Sequence, residues 1–377
     1  MPHRILQIIP SLDRSGAEKQ MSLLATRLPR DEFEVHVCAL TRGGPLAADL
    51  HAAGIPVTVI GKRWKFDPLA YWRLEQHVRR LKPDLVQTWL FAGNAYGRAA
   101  ALRSGVPVIV ASERCVDPWK QGYQHAIDRF LARRTAALVV NSAGVRAFYQ
   151  RHGIPPTLLR IIPNGVEVSG ASPLPREALL EELGLPARSR LIAAVGRLWP
   201  QKRVKDLIWA TDLLKVIRDD VHLLVIGDGP QRAILERYRH LCRLDDHVHF
   251  LGLRDDVPSL LPHCDLLWLA SQYEGMPNVV LEAMAAGIPV VATNIPGTRD
   301  LVVPGETGYL VAVGQRAEFA RWASKLLDDP ELAKRLGAAG RARVAKNFSV
   351  EAMVDRFAAL YRELLQSKCG VSASARP

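Results

Sequence analysis

The chain alternates short apolar runs with amphipathic segments, and this alternation constrains its fold more than any other feature. Residues 5–9, 33–40, 55–60, 84–90, 106–112 and 137–142 are apolar runs bounded by Gly, Pro or Asp. Such runs are typical of buried parallel strands. The segments between them, such as residues 17–28 and 68–81, carry apolar residues three and four positions apart, as helices do. The pattern predicts βαβ units.

The same alternation recurs in the second half of the chain, where the apolar runs are residues 190–198, 221–227, 248–252, 265–271, 289–294 and 308–313. A length of 377 residues also favours two domains. The Pro-, Gly- and Ser-rich stretch 161–178 is typical of a linker. We therefore predict an α/β protein with two doubly wound parallel-sheet domains, residues 1–166 and 167–350. A last helical segment and a disordered tail from Lys368 fill residues 351–377.

Composition excludes several classes of protein. No apolar run approaches the roughly 18 residues of a membrane-spanning helix. The first apolar run has five residues and leads into polar sequence, unlike a secretory signal. The five cysteines are scattered and form no Cys-x-x-Cys pair, so we expect neither zinc nor disulfides, and a cytoplasmic location.

Positive charge is concentrated in the first half of the chain. Residues 1–166 contain 23 Lys and Arg against 12 Asp and Glu, a net charge of +11, whereas residues 167–377 have a net charge of +1. A basic half indicates an anionic partner: nucleic acid, an anionic membrane surface or a phosphorylated substrate.

Two glutamates eight positions apart, Glu274 and Glu282, enclose the loop-to-helix stretch EGMPNVVLE. Pro277 suits the first helical position and Gly287 the end of the helix, so Glu274 lies in the loop and Glu282 in the helix. The backbone amides at the helix start favour an anion, while carboxylates accept hydrogen bonds from hydroxyl groups. A nucleotide sugar has a ribose, a diphosphate and a hexose in this order. Glu282 would hold the ribose, the amides from Gly275 to Val279 would bind the diphosphate, and Glu274 would hold the hexose. The donor-binding residues predicted within this stretch are Gly275, Met276, Pro277, Asn278 and Val279. As a structural alternative, Glu282 is a solvated helix residue.

Two further strand-to-helix junctions carry candidate binding residues. In VGRLWPQKRVKDLI, Arg197 and Lys202 lie just past a strand end, where they could clamp a diphosphate and neutralise a leaving group. In SLDRSGAEKQ, Gly16 lets a ligand approach the start of a helix, although the dinucleotide spacing G-x-G-x-x-G is absent. Both junctions are equally consistent with ordinary surface cations and a plain turn glycine.

These stretches together resemble the retaining glycosyltransferases of family 4, which have the GT-B architecture of two Rossmann-like domains facing across a cleft. The most specific element is the E-x7-E motif at Glu274 and Glu282. Supporting motifs are SGAE (15–18), VNS (140–142), IPNGVE (162–167), GRLWPQK (196–202), GDGP (227–230) and FLG (250–252).

The resemblance implies an N-terminal acceptor domain and a C-terminal donor domain, with the last helix crossing back to the N-terminal domain. It implies that Arg197 and Lys202 contact the donor diphosphate, and that Gly16 approaches the phosphate. It also implies that the loop at Leu253 and Arg254 holds the base through backbone groups. Transfer with retention then needs no protein nucleophile, and family members generally work without a metal. We therefore predict no cofactor, with a nucleotide-diphosphate sugar such as a UDP or GDP sugar as co-substrate.

Three positions depart from the family pattern. Ser15 stands where many members have a second glycine, and Arg203 replaces the glycine that usually follows the phosphate lysine. Many members also present a histidine beyond the fourth strand, whereas Trp89 and Asn94 fall in that region here. We assign neither a catalytic role.

Two other functions are compatible with parts of the sequence. A nucleotide-sugar epimerase of GT-B fold would share the site but needs a proton-transfer group, for which we find no clear candidate. A nucleic-acid-binding protein would explain the basic half, but no recognised module is present, so we predict no nucleic-acid partner.

The acceptor prediction rests on the basic half, where Lys and Arg interleave with aromatic residues at 61–82 and 118–134. This composition suits an anionic bilayer surface. We predict a peripheral enzyme at the inner face of the membrane that glycosylates a glycan, lipid-linked or other envelope precursor. The alternative is that Trp64, Phe66, Tyr71 and Trp72 pack as core.

Overall fold

Two parallel β-sheets form the frame of the molecule, and each supports its own unit. The computed structural model describes residues 1–168 and 175–373, with side chains up to residue 367. Unit 1 comprises Met1–Gly165 with the segment from Val350 onward, and unit 2 comprises Val166–Ser349. The predicted α/β class with two parallel-sheet domains is confirmed. Residues 169–174 of the predicted linker lie outside the described residues.

Unit 1 is built on a parallel sheet with helices packed against it. Its strands are β1 (His3–Ser11), β2 (Phe33–Arg42), β3 (Val57–Val59), β4 (Leu85–Trp89), β5 (Val108–Glu113), β6 (Ala137–Val140) and β7 (Leu159–Ile161). Its helices are α1 (Gly16–Arg27), α2 (Pro45–Ala52), α3 (Pro68–Leu81), α4 (Leu90–Arg103), α5 (Gly122–Ala132), α6 (Ala143–Arg151) and α15 (Val350–Ala373). The strand order is β3-β2-β1-β4-β5-β6-β7. Strands β2 and β3 lie on one side of β1 and the later strands lie on the other, so the strand order reverses between β1 and β4.

Unit 2 repeats this plan. Its strands are β8 (Arg190–Val195), β9 (Val221–Ile226), β10 (Val248–Gly252), β11 (Leu266–Leu269), β12 (Val290–Thr293) and β13 (Gly308–Val311). Its helices are α7 (Arg176–Glu182), α8 (Val204–Lys215), α9 (Arg232–Leu241), α10 (Val257–Leu260), α11 (Asn278–Ala286), α12 (Pro296–Arg299), α13 (Arg316–Asp328) and α14 (Pro330–Asn347). The order β10-β9-β8-β11-β12-β13 places the reversal between β8 and β11. A ligand crevice is expected beyond the carboxyl ends of these two strands.

The central strands are buried on both faces, which explains their continuous apolar sequence. In β1, Ile5 and Ile9 enter one core cluster, and Leu6 and Ile8 enter the cluster on the opposite face. Neighbouring strands pair in parallel, with Ile5 opposite both Val35 and Leu85. Alternating side chains therefore anchor the sheet between two helical layers.

Strand β7 was not predicted from the sequence. Its three residues, Leu159 to Ile161, pair only with β6 in the described sheet, and only Leu159 is buried. An edge strand this short has too little apolar sequence to stand out beside the prolines that flank it.

Helix α15 belongs to the core of unit 1. Phe357 and Tyr361 are fully buried in the same cluster as Ile5 and Trp89. The Tyr361 hydroxyl donates to Gln87 Oε1 at 2.6 Å and accepts from Gln7 Nε2 at 3.1 Å. These bonds join the helix to the middle of β1 and β4. The helix continues past Lys368, where the tail was predicted to begin, and residues 374–377 lie outside the described residues.

Unit 1 also buries a group of charged side chains, which we call the Lys120 cluster: Lys120, Glu113, Asp117, Asp128, Arg98 and Tyr149. Lys120 Nζ lies 2.9 Å from Glu113 Oε1, 3.0 Å from Asp128 Oδ2 and 3.5 Å from Asp117 Oδ2. Arg98 pairs with the other oxygen of Asp128 at 2.6 Å. Three carboxylates thus face two cations, and burial raises the pKa of Glu113 to about 7.

No helix in the described part of the chain combines the length and the apolar character needed to cross a bilayer.

Candidate functional site

The loops that follow β8 and β11 meet at the reversal point of the unit 2 sheet. Gln201, in a short 3₁₀ turn after β8, donates from its side chain to Tyr273 O at 2.7 Å. Its own carbonyl accepts from Gln272 N at 2.8 Å. These two bonds hold the loop that carries Lys202 against the loop that carries Glu274. The sequence identified both loops but not Gln201, whose type and spacing carry no distinguishing signal.

Lys202 and Glu274 form an ion pair between these loops. Lys202 Nζ donates to Glu274 Oε1 at 2.5 Å. The pair is mostly enclosed, with side-chain exposures of 17% for Lys202 and 11% for Glu274. Enclosure weakens the screening of the charges by water. The structure therefore brings together two of the predicted site residues that are 72 positions apart.

The loop that carries Lys202 packs closely against the loop that follows β9. Leu198 N donates to Asp228 O at 2.9 Å, and Gln231 N donates to Leu198 O at 3.0 Å. A Cβ atom on Gly229 would lie within 2.9 Å of Leu198 backbone atoms, so this position requires glycine. The GDGP stretch after β9 thus packs against the loop after β8 and supports it.

Arg197 lies in the same loop, at its surface. Its side chain is exposed, and the guanidinium lies 5.6 Å from the ring centroid of Trp199. Arg197 therefore stands at the strand end, as predicted, and its position leaves it accessible to a ligand.

The structure shows how Arg203 occupies a position at which the family usually has glycine. Arg203 adopts a left-handed backbone, with φ 51° and ψ 36°, immediately before α8 begins. Glycine adopts this conformation without strain, which accounts for the glycine usual at this position in the family. Here the arginine donates to Asp206 Oδ2 at 2.6 Å, an ion pair that helps to hold the turn.

Helix α11 carries the second glutamate. It begins at Asn278, so Pro277 is the residue that precedes the first turn and not its first member, a shift of one residue from the prediction. Pro277, at the cap position, makes no side-chain hydrogen bond to this helix start. Gly287 ends the helix with φ +77°, as predicted. Glu282 lies within the helix and is half-buried, and Glu274 lies in the preceding loop.

A contact that the sequence did not reveal positions the loop between them. A Cβ atom on Gly297, in α12, would lie 2.5 Å from Gly275 O. The neighbouring Thr298 hydroxyl bonds Thr293 O, and Thr293 in turn donates to Ser271 O at 2.6 Å. The only sequence signal is a glycine in the short IPGT stretch after a strand, which is too common to assign.

Leu253 and Arg254 follow β10 at the same edge of the sheet. Gly227 N donates to Gly252 O at 2.7 Å, which joins this loop to the end of β9. Leu253 is 82% exposed. The Arg254 guanidinium pairs with Asp256 at 2.6 Å and also with Glu182. Its side chain is therefore engaged within the protein, and the assignment of the base to the backbone of this loop stays a prediction.

The unit 1 candidates lie at the predicted junctions. Gly16 is exposed and opens α1 after β1. Trp89 is fully buried and donates from Nε1 to Gln7 Oε1 at 2.7 Å. Asn94 is fully buried between Thr88 and Ser112 O. The side chains of Trp89 and Asn94 are therefore engaged in hydrogen bonds within unit 1.

Among the described residues, no group of three or more His, Cys, Asp or Glu side chains is arranged to hold a metal ion.

Comparisons with known proteins place the chain in a family. The profile described as Glycosyl transferases group 1 matches residues 175–343, and that described as Glycosyltransferase Family 4 matches residues 14–169. A 2-deoxystreptamine glucosyltransferase of Streptomyces kanamyceticus is 30% identical over 307 residues, which cover 76% of this chain and 79% of the relative. The chain belongs to the group 1 and family 4 glycosyltransferases.

Two further comparisons span nearly the whole glycosyltransferase. The UDP-Gal:α-D-GlcNAc-diphosphoundecaprenol α-1,3-galactosyltransferase of Escherichia coli is 26% identical over 96% of this chain and 97% of its own. The crystal structure of Anabaena HepE in complex with UDP-glucose is 25% identical, with a TM-score of 0.87 over 96% of this chain and 99% of that one. The predicted GT-B class of fold is therefore confirmed.

Proposed function

We propose that this glycosyltransferase moves a sugar from a nucleotide-diphosphate sugar to an acceptor hydroxyl with retention of configuration. The observation that carries the proposal is the enclosed Lys202–Glu274 pair, 2.5 Å across, in the loops at the reversal point of the unit 2 sheet and directly before the start of α11. A cation, the amide end of a helix and a carboxylate suit a ligand with a diphosphate next to a sugar diol.

Each predicted site residue has a role in this proposal. Lys202, Arg197 and the amides between Gly275 and Val279 bind the diphosphate, and Glu274 accepts hydrogen bonds from the transferred sugar. Glu282 holds the ribose. The backbone at Leu253 and Arg254 contacts the base. The role of Gly16 at the donor phosphate rests on the family resemblance alone.

The proposed reaction balances without a protein nucleophile or a metal. The bond between the anomeric carbon and the phosphate oxygen breaks, and a bond to the acceptor oxygen forms on the same face of the sugar. The departing phosphate takes the proton of the acceptor hydroxyl. Lys202 and Arg197 stabilise the charge that develops on the phosphate, a role that preorganised cations perform well.

We assign donor binding to unit 2 and acceptor binding to unit 1, as the resemblance implies. A uridine diphosphate sugar is the proposed donor, supported by the UDP-glucose complex of HepE and by the name of the E. coli relative. The latter also supports a lipid-linked or other envelope precursor as acceptor, with the enzyme at the cytoplasmic face of the membrane.

Nucleotide binding and product analysis test this proposal in turn. Thermal-shift measurements with UDP, GDP and ADP should single out UDP, because a ligand at 100 times its dissociation constant stabilises the folded state by about 2.7 kcal/mol. Equal shifts for the three nucleotides would contradict the donor assignment. NMR of the product should then show the anomeric configuration of the donor sugar, whereas the opposite configuration would exclude retention.

The same product analysis distinguishes the epimerase alternative. An epimerase would convert the nucleotide sugar into its isomer with no acceptor present. The E. coli and S. kanamyceticus relatives are both named as transferases.

A further inference from the structure

Large aromatic side chains are exposed on two neighbouring loops of unit 1. Trp64 and Phe66, in the loop between β3 and α3, are 67% and 71% exposed. Trp119 and Tyr123, between β5 and the first turn of α5, are 55% and 39% exposed. The alternative that Trp64, Phe66, Tyr71 and Trp72 pack as core is therefore wrong for Trp64, Phe66 and Trp72, the last of which is 56% exposed, whereas Tyr71 packs partly buried against the core. Clustered exposed aromatics of this size mark an interaction surface.

Basic residues alternate with these aromatics. The sequence from residue 62 to residue 66 is KRWKF, with no acidic residue. The carboxylate that follows, Asp67, is 3% exposed and caps α3 through Ala70 N at 2.9 Å. Its charge therefore faces the helix start. We call the set Lys62, Arg63, Trp64, Lys65, Phe66, Trp119 and Tyr123 the aromatic–basic surface.

The first loop is held in a defined shape while its aromatic side chains stay exposed. Asp67 Oδ2 accepts from Arg63 N at 2.9 Å. The Tyr96 hydroxyl accepts from Asp67 N at 2.8 Å and donates to Lys65 O at 3.2 Å. A loop fixed by its own hydrogen bonds loses little conformational entropy when a partner binds.

The two loops are in contact. Lys65 Nζ lies 5.4 Å from the ring centroid of Tyr123, which brings residues 62–66 against the first turn of α5. Both loops follow the carboxyl ends of parallel strands, the edge at which such sheets bind ligands.

We propose that the aromatic–basic surface docks this enzyme on an anionic phospholipid bilayer. Trp, Phe and Tyr side chains favour the boundary between headgroups and acyl chains, and each nearby Lys or Arg adds about 1 kcal/mol of attraction to anionic lipid. The net charge of +11 over residues 1–166 has the complementary sign. The inference rests on the proposed function only in that a lipid-linked acceptor is found at such a bilayer.

Vesicle co-sedimentation of the full chain, without donor or acceptor, tests the docking. We expect binding to vesicles that contain a third phosphatidylglycerol, no binding to pure phosphatidylcholine, and release at high salt. The triple variant K62E/R63E/K65E should lower the affinity at least about 100-fold, the effect of losing three attractions of about 1 kcal/mol each. The double variant W64A/F66A should lower it about tenfold or more, through lost apolar burial at constant charge.

Matched variants elsewhere control for nonspecific effects. The double variant I234A/L241A removes two exposed apolar side chains of α9, and K334E/R335E reverses two exposed charges of α14. Both should bind vesicles like the unaltered chain. All variants should keep their affinity for UDP, which verifies that they are folded.

Several outcomes would overturn the docking proposal. These are no binding at low salt, equal losses in the control variants, or binding to neutral vesicles that W64A/F66A leaves unchanged. Self-association that these substitutions abolish, with no binding to vesicles, would instead identify a second copy as the occupant. If vesicle binding persists but UDP does not bind, the proposed function fails and the docking surface stands.

Discussion

Lys202 Nζ lies 2.5 Å from Glu274 Oε1, so the cation assigned to the donor diphosphate is already paired with the carboxylate assigned to the sugar. In the proposed function, an incoming diphosphate competes with Glu274 for the lysine, and the displaced carboxylate then accepts hydrogen bonds from sugar hydroxyls. Under that proposal, the pair links recognition of the nucleotide to recognition of the sugar.

The two glutamates should separate in their effects on binding and turnover. We expect Glu274→Ala to abolish sugar transfer while leaving UDP affinity unchanged or higher, because the substitution frees Lys202. Glu282→Ala should weaken UDP binding itself, because Glu282 is assigned to the ribose. Calorimetric titration with UDP and turnover of a UDP sugar measure both effects. Equal loss of nucleotide affinity in the two variants would refute the assignment.

The two cations should contribute to the chemical step. We expect Arg197→Ala and Lys202→Ala each to lower turnover about 100-fold or more, the scale of removing one preorganised donor at a developing charge. Lys205→Ala is the matched control, because Lys205 is an exposed lysine in the first turn of α8 whose ammonium lies over the Tyr238 ring. Near-normal turnover in either test variant would remove that residue from the site.

The Lys120 cluster should make stability depend on pH. The pKa of Glu113 is about 7 in the folded protein, against an ordinary value of 4.5. Between these values the folded chain keeps a proton that the unfolded chain loses, so the contribution of Glu113 to stability falls as pH rises through this window. Glu113→Gln should therefore flatten the decline in unfolding free energy between these two pH values, as measured by urea titration. A slope identical to that of the unaltered chain would contradict the prediction.

Removal of the central cation should be far more damaging than removal of this carboxylate. Lys120→Met leaves three carboxylates facing Arg98 alone, and breaking a buried pair in this way costs about 3–5 kcal/mol. The exposed Arg134→Met serves as the control and should change little. Comparable urea midpoints for the two variants would show that the cluster is not the stabilising element we infer.

Helix α15 should be energetically coupled to the sheet of unit 1. Tyr361→Phe removes one hydroxyl and leaves the buried Gln7 and Gln87 amides short of a partner, so we expect a loss of about 1–3 kcal/mol. Tyr123→Phe removes a hydroxyl from an exposed tyrosine and controls for the loss of a tyrosine hydroxyl in general. Urea unfolding measures the unfolding free energy of both variants. A change below about 0.5 kcal/mol, the range of ordinary surface substitutions, would contradict the role of the network.

Much of the fold could be predicted from local sequence, because buried parallel strands and amphipathic helices leave strong periodic signals. Helix α3 begins and ends where the sequence predicts, and Gly287 ends α11 as its lack of a Cβ suggests. Strand β7 was missed because three residues at a sheet edge carry almost no pattern. Local signals therefore define elements well and their edges poorly.

The candidate site was harder to predict, because it depends on contacts between distant positions. The sequence identified Lys202 and Glu274 separately, but only the neighbouring positions of β8 and β11 explain why they pair. The Lys120 cluster was not foreseen, since charged residues usually indicate a solvated surface. Likewise, the sequence did not reveal whether Trp64 is buried or exposed, because residues in a loop have no periodic pattern of apolar positions.

The division of unit 1 into two chain segments has a consequence for biosynthesis. Residues 166–349 are contiguous, so unit 2 can fold as soon as the ribosome has delivered them. Unit 1 begins first but finishes last, because Phe357 and Tyr361 must be synthesised before its core around Trp89 can close. During translation of the whole second unit, one face of the first sheet lacks α15, one of the helices that cover it. A nascent chain at that stage exposes apolar surface and should be a preferred client of chaperones.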